Sequence, residues 1–136
     1  MELKNFDNIL SRVPKLADPL RVVLAGSDGE NMLQGLFQAQ KEGFVQPVLV
    51  GDRARTMVQL EKLGLDKEPY TMVDTPPGHS IPHAALDIIK CGEGDILMRG
   101  NMPTRDFLMP VLDRKNGLRT ERIMSHVSLV SIPEYP

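Results

Sequence analysis

Residues 21–29, Arg-Val-Val-Leu-Ala-Gly-Ser-Asp-Gly, decide the fold of this chain, because an apolar run here ends in a glycine-bounded turn. A short, continuous apolar run is typical of a strand that is buried on both faces. In the following residues, 30–41, apolar side chains recur three and four positions apart, which predicts a helix that buries one face. The two segments together predict a βα unit.

The same alternation continues on both sides of this unit. Further strands are predicted at 47–50, 70–74, 95–98 and 122–130, and further helices at 5–18, 53–63, 82–91 and 104–113. Strands separated by helices of this length require right-handed crossovers, which give a largely parallel sheet covered on both faces. The sequence therefore predicts a three-layer α/β/α fold, in a single α/β domain over residues 1–136.

Composition limits the classes of function. The chain has 136 residues with 16 Lys and Arg against 18 Asp and Glu, a net charge of −2, which argues against nucleic-acid binding through a basic surface. Cys91 is the single cysteine, so neither an internal disulfide nor a cysteine-based zinc site is expected. The sequence contains no apolar run long enough for a membrane span and no secretory pattern at its start, so we expect a cytoplasmic protein.

The segment after the predicted strand 95–98 carries groups suited to binding an anion. Arg99 and Arg105 supply guanidinium groups that match phosphate oxygens, and Asn101 adds an amide. Gly100 permits a close backbone approach or a positive φ, and Thr104 is placed to cap the following helix. These residues predict the floor of a pocket for a phosphorylated or carboxylated ligand. The alternative is a capped helix whose arginines face solvent.

In that alternative the arginines pair with Asp95 or Asp106. A second glycine-containing loop, residues 26–31, follows the first strand but matches neither common phosphate-loop pattern. Its Asp28 and Glu30 would repel phosphate, so an ordinary strand-to-helix turn is the favoured interpretation.

His126 lies beside Ser125 in the predicted strand 122–130. A hydrogen-bonded core histidine is the expected role, because neighbouring strand residues point to opposite faces and cannot act as a Ser–His pair. No histidine spacing typical of a metal site occurs, and no base or nucleophile stands out. The catalytic residues therefore stay unassigned, and no metal is predicted.

Five segments together resemble the phosphate acetyl/butyryltransferases, most closely their butyryl branch. They are residues 46–52, 100–108, 111–113, 117–120 and 122–127, reading QPVLVGD, GNMPTRDFL, VLD, GLRT and RIMSHV. The resemblance extends from about Arg21 to Pro136, and the stretch 100–127 is its most specific part. Two positions depart from the family pattern: Arg99, where the butyryl branch often has lysine, and Met109, where the acetyl branch typically has arginine.

The resemblance implies an isocitrate/isopropylmalate dehydrogenase-like fold and transfer of a short-chain acyl group between coenzyme A and inorganic phosphate. Coenzyme A is then a substrate, and no separate cofactor is implied. The implied phosphate-binding residues are Arg99, Gly100, Asn101, Thr104 and Arg105, with Ser125 and His126 as possible supporting groups.

Family members are considerably longer, so the resemblance implies the N-terminal portion of such an enzyme, with an incomplete fold. We expect the isolated chain to be inactive, because the family's base-bearing segment lies beyond it. The predicted strand 122–130 would leave an exposed edge, which favours a homo-oligomer or pairing with a second domain. The alternative function is a non-catalytic module of the same fold that binds phosphate or coenzyme A, or that serves in assembly.

Overall fold

The structure is a computed structural model that describes residues 6–13, 18–75, 79–130 and 132. Five helices and four strands alternate in these residues. In chain order they are α1 (Phe6–Leu10), β1 (Leu20–Ala25), α2 (Glu30–Lys41), β2 (Val45–Gly51), α3 (Arg53–Leu63), β3 (Thr71–Asp74), α4 (Ile81–Lys90), β4 (Ile96–Arg99) and α5 (Thr104–Val111). None of these helices is long and apolar enough to cross a membrane.

The four strands form one sheet in the order β3-β2-β1-β4, and every pairing is parallel. β1 lies inside the sheet, with Val23 opposite Val48 of β2 on one side and Leu97 of β4 on the other. This arrangement confirms the predicted α/β class and the parallel sheet.

Alternate residues of β1 enter opposite halves of the core, as the period of a strand requires. Val22 and Leu24 pack in a cluster with Phe37 of α2 and Leu60 of α3. Val23 packs on the other face, in a cluster that also includes residues of α4 and α5. Helices therefore cover both faces, which confirms the three-layer α/β/α arrangement.

Local sequence explains where α3 begins and ends. The Asp52 carboxylate accepts a hydrogen bond from the backbone N–H of Arg55 at 3.0 Å, which caps the first turn. Gly64 follows the helix with a φ of +67°, the left-handed conformation that favours glycine at this position. The predicted helix at 53–63 is confirmed with the same bounds.

Two predicted elements differ in the structure. Residues 122–130 form no strand with any described residue, and their side chains are exposed, so the predicted fifth strand is wrong. Strand-forming residues need a paired neighbour, and this segment does not lie along the free edge of β4. The opening helix covers Phe6–Leu10 and ends before residues 11–13, so it is shorter than the predicted helix 5–18. Residues 5 and 14–17 of that prediction lie outside the described part of the chain.

Candidate anion-binding site

An open cleft of about 600 Å³ lies beyond the carboxyl ends of β1 and β4. Two segments line it, residues 28–32 after β1 and residues 99–103 after β4. The two glycine-containing loops considered separately in the sequence are therefore brought together in one site.

The strand order explains why the cleft lies here. After β1 the chain crosses to β2 on one side, whereas β4 pairs with β1 on the other side. The loops that leave β1 and β4 therefore diverge, and such a switch point is where open parallel sheets usually bind ligands. This location is a property of the topology.

Backbone hydrogen bonds hold the two loops against each other. The N–H of Gly100 donates to the Ala25 carbonyl at 2.8 Å, and the N–H of Asn101 donates to the Gly26 carbonyl at 2.9 Å. A Cβ on Gly100 would overlap the Gly26 carbonyl oxygen, so only glycine fits there. The predicted close approach at Gly100 is confirmed, while the positive φ, +87°, occurs at Gly26.

Two helices begin at the cleft. Gly29 precedes α2 and Pro103 precedes α5, and at neither end does a described side chain cap the helix. The first helical hydrogen bonds come from the N–H groups of Leu33 and Phe107, so the N–H groups just before them have no helical acceptor. Both N-termini therefore give the cleft a partial positive charge.

Arg99 contributes a unit positive charge to the cleft lining, in addition to the partial charges of the helix N-termini. Its side chain is half-buried, and its Nη1 donates to the Met102 carbonyl at 2.6 Å. A guanidinium group has five N–H donors, so this bond fixes the group and leaves donors for a ligand. Arg99 both shapes the turn after β4 and supplies charge.

The two acidic residues of the lining are paired with cations from α3. Asp28 Oδ2 lies 3.3 Å from Nε of Arg55, and Glu30 Oε2 lies 2.7 Å from Nζ of Lys62. Asp28 Oδ1 also accepts a hydrogen bond from Nδ2 of Asn101 at 3.2 Å. The repulsion expected between these carboxylates and phosphate is thereby reduced.

Arg55 and Lys62 are not among the site residues proposed from sequence. Their only local signal is the spacing of basic residues along a helix, which is equally typical of a solvated surface. A hydroxyl contact strengthens the link to α3, because Ser27 Oγ and Thr56 Oγ1 lie 2.8 Å apart and both residues are buried.

Thr104 and Arg105 lie in the first turn of α5, next to the lining residue Pro103. The prediction that Thr104 caps α5 is wrong, because Pro103 occupies the capping position and Thr104 is already helical. Arg105 is exposed.

The pairing of Asp95 also differs from the solvent-facing alternative. Asp95 Oδ1 accepts from Arg21 Nη2 at 2.8 Å, and Oδ2 accepts from Arg21 Nε at 3.0 Å. These side-chain bonds, together with one from the backbone N–H of Arg21, lower the pKa of Asp95 to about 2. Asp95 therefore ties the start of β4 to β1.

Ser125 and His126 lie in the exposed segment after residue 121 and are not in the cleft lining. His126 Nε2 lies 3.4 Å from Oγ of Ser128, another exposed side chain. The prediction of a core histidine is wrong, because it depended on the fifth strand. Across the described residues, no cluster of three or more His, Cys, Asp or Glu side chains is arranged to hold a metal ion.

A four-stranded parallel α/β fold with a polar cleft at its switch point is the class of protein that these observations define. Solved structures share this fold. A phosphotransacetylase from Streptococcus pyogenes aligns with 79% of this chain and 40% of its own, at a TM-score of 0.64 and 17% identity. A branched-chain phosphotransacylase from Enterococcus faecalis V583 aligns over 71% of this chain and 33% of its own length, at a TM-score of 0.54 and 22% identity.

Sequence comparison finds relatives among the phosphate butyryltransferases and phosphate acetyltransferases. A phosphate butyryltransferase of Clostridium beijerinckii is 32% identical over 129 residues, covering 95% of this chain and 42% of the relative. A probable phosphate butyryltransferase of Bacillus subtilis is 46% identical over 114 residues, covering 84% of this chain and 38% of the relative. A phosphate acetyltransferase of Thermotoga maritima is 28% identical over 116 residues, covering 85% of this chain and 39% of the relative.

Nearly the whole chain is therefore similar to part of the phosphate acetyl/butyryltransferases. It spans about two fifths of the length of the relatives that it matches. No protein-family model matches it.

Proposed function

We propose that the protein transfers a short-chain acyl group between coenzyme A and inorganic phosphate, and that this chain supplies the phosphate-binding side of the site. In this reaction acyl-CoA and phosphate give acyl phosphate and free coenzyme A. The proposed phosphate-binding residues are Arg99, Gly100, Asn101, Thr104 and Arg105, and coenzyme A is a substrate rather than a bound cofactor.

One observation carries this proposal: the cleft combines the Arg99 guanidinium with the uncapped starts of α2 and α5. Phosphate carries up to two negative charges and several acceptor oxygens, so it fits a site with one fixed cation and converging N–H groups. The family relationship supplies the acyl and coenzyme A parts of the reaction.

Each residue has a separate role in the proposed site. Arg99 forms a charge-assisted hydrogen bond to a phosphate oxygen, and Arg105 adds a second, more solvent-exposed charge. Thr104 offers its backbone N–H and its hydroxyl from the first turn of α5. Gly100 keeps the turn close to β1, and Asn101 contributes an amide at the mouth of the cleft.

Thiolate attack on the carbonyl carbon of acyl phosphate would form the thioester and release phosphate with the bonding electron pair. A positive site lowers the barrier by stabilising the negative charge that develops on the departing phosphate. Asp28 and Glu30 are both ion-paired, so we assign neither of them as the base that deprotonates the thiol.

Phosphate titration followed by amide NMR tests the binding part of the proposal. Because the cleft is open to water, we expect a dissociation constant near 1 mM, about −4 kcal/mol, with shifts centred on residues 99–106. Arg105→Ala should weaken binding by a few fold and leave thermal stability nearly unchanged.

Arg114→Ala is the matched control, because Arg114 is also an exposed arginine but follows the C-terminal end of α5. It should leave phosphate binding unchanged. Absence of shifts at residues 99–106, or identical affinities for Arg105→Ala and the wild type, would contradict the proposed phosphate site.

We also propose that the protein is cytoplasmic and oligomeric. Exposed apolar side chains, including Ile123, Val127 and Leu129, support association, because such groups are stabilised when another surface covers them. Sedimentation velocity over a range of protein concentrations should show a species larger than the monomer. Monomer alone at the highest concentration would remove the oligomer from the proposal.

A further inference from the structure

Asp28 links three structural elements at the mouth of the cleft. It belongs to the loop after β1, its Oδ1 accepts from Nδ2 of Asn101 in the loop after β4, and its Oδ2 lies 3.3 Å from Nε of Arg55 in α3. The Asp28 side chain is only 18% exposed, whereas that of Arg55 is 71% exposed. Asp28 is therefore the fixed member of the pair.

A carboxylate in the lining of an anion site lowers its affinity unless a cation cancels the charge. Arg55 is placed to do this, because it contacts Asp28 but does not belong to the lining of the cleft. Asp28 also has a structural role, because its carboxylate holds the Asn101 amide across the mouth of the cleft.

We propose that Asp28 and Arg55 are positioning residues that set the anion affinity of the cleft: Asp28 orients Asn101, and Arg55 cancels the charge of Asp28. This inference rests on the proposed phosphate site and adds that a residue outside the lining controls it. Arg55 acts through Asp28 and does not itself contact the anion.

Phosphate titration of charge variants tests this arrangement. Arg55→Gln leaves Asp28 unneutralised and should weaken phosphate binding about three- to tenfold at low ionic strength, with a smaller loss at high salt. Arg55→Lys keeps the charge and should bind within about twofold of the wild type. Thermal unfolding should hardly differ among these variants, so a general structural effect would be recognised.

A second substitution separates an indirect role of Arg55 from direct contact. Asp28→Asn keeps an acceptor for Asn101 and removes the charge, so adding it to Arg55→Gln should restore wild-type affinity. If Arg55 bound phosphate directly, the double variant would stay weak, and the proposal would be overturned.

Lys62→Gln provides the matched comparison within the same cleft. Glu30 and Lys62 form a similar pair, but their side chains are 44% and 60% exposed, so water already screens the Glu30 charge. We expect less than a twofold loss of phosphate affinity. An effect equal to that of Arg55→Gln would show that only total charge matters, which would overturn the specific role of Asp28.

The orientation of Asn101 gives a readout that needs no ligand. In Asp28→Ala the side-chain amide protons of Asn101 should shift and exchange faster, whereas in Asp28→Asn they should stay close to the wild type. Unchanged Asn101 signals in Asp28→Ala would overturn the positioning role. Failure of the wild type to bind phosphate would overturn both proposals. Binding that Arg55→Gln does not alter would overturn only this one.

Discussion

The turn at residues 99–103 and the segment at residues 122–130 both include residues that resemble the phosphate acetyl/butyryltransferases, 100–103 and 122–127, yet the fold holds them very differently. The turn donates two backbone hydrogen bonds, at 2.8 and 2.9 Å, to the last residue of β1 and to the glycine that follows it. The segment forms no strand with a described residue, and Ile123 and Val127 are 95% and 81% exposed. Family-like sequence therefore does not by itself define a local conformation; a paired neighbour does.

The boundary between the two kinds of structure lies just after α5. The Asp113 carboxylate accepts from the backbone N–H groups of Lys115 and Asn116, and Leu118 N–H donates to the Val111 carbonyl at 2.9 Å. These local bonds order the turn that follows the helix. The residues after this turn could join the parallel sheet only by pairing with a strand that is distant in sequence. Residues next to them in the chain cannot form the hydrogen bonds of a parallel strand pair.

The strongest test of the comparison is a methyl group added at the turn. Gly100→Ala places a Cβ against the Gly26 carbonyl oxygen, a backbone atom that cannot easily move. We expect the free energy of unfolding to fall by about 3 kcal/mol, measured by urea denaturation.

Gly35→Ala in α2 is the matched control, because a Cβ there meets no described atom within 4 Å. It should raise stability by about 0.5–1 kcal/mol, since alanine is the better helix former. Equal stabilities for Gly100→Ala and the wild type would show that the turn is not held as described.

A second test removes the buried hydroxyl contact behind the loop after β1. Thr56→Val keeps the shape of the side chain but leaves the Ser27 hydroxyl, 2.8 Å away in the structure, without its partner. We expect a loss of about 2 kcal/mol in the free energy of unfolding. The double variant Ser27→Ala/Thr56→Val should recover most of it, and an equal or larger loss would argue against the hydrogen bond.

A third test uses pH at the opposite end of β4. The folded-state pKa of Asp95 is about 2, below its ordinary value of 3.8, because Arg21 donates to the carboxylate. This stabilisation is fully present above about pH 4 and is lost as pH falls towards 2.

The melting temperatures of the wild type and Asp95→Asn should therefore differ by a constant amount above pH 4 and converge towards pH 2. Carbon NMR of the Asp95 carboxyl group gives its midpoint directly. A midpoint near 4 would contradict the ion pair with Arg21.

The smallest effect is expected in the segment that lacks a partner within the chain. At protein concentrations low enough to keep the chain monomeric, Ile123→Ser should change the free energy of unfolding by less than about 0.5 kcal/mol, because Ile123 is 95% exposed. Amide hydrogen exchange at 122–130 should also be much faster than at Gly100 and Asn101. In the monomer, a loss above 1 kcal/mol, or slow exchange at 122–130, would mean that this segment is packed within its own chain.

The sequence alone determined the alternating part of the fold. The apolar run of β1, the helical spacing of α2 and the terminal Gly64 depend on local pattern and backbone preference, and all three are found in the structure. The same pattern predicted Arg99, Gly100 and Asn101 as site residues, because a strand-to-helix turn rich in such residues is recognisable without knowing which elements pack beside it.

Tertiary structure decided what required distant partners. Whether the strand-like residues 122–130 pair, and so whether His126 is buried, depends on the free edge of β4 and not on local preference. The joining of the loops after β1 and β4 depends on strand order, which the alternation of elements does not specify. The neutralisation of Asp28 by Arg55 depends on helix packing, because Coulomb attraction follows distance in space, not separation along the chain.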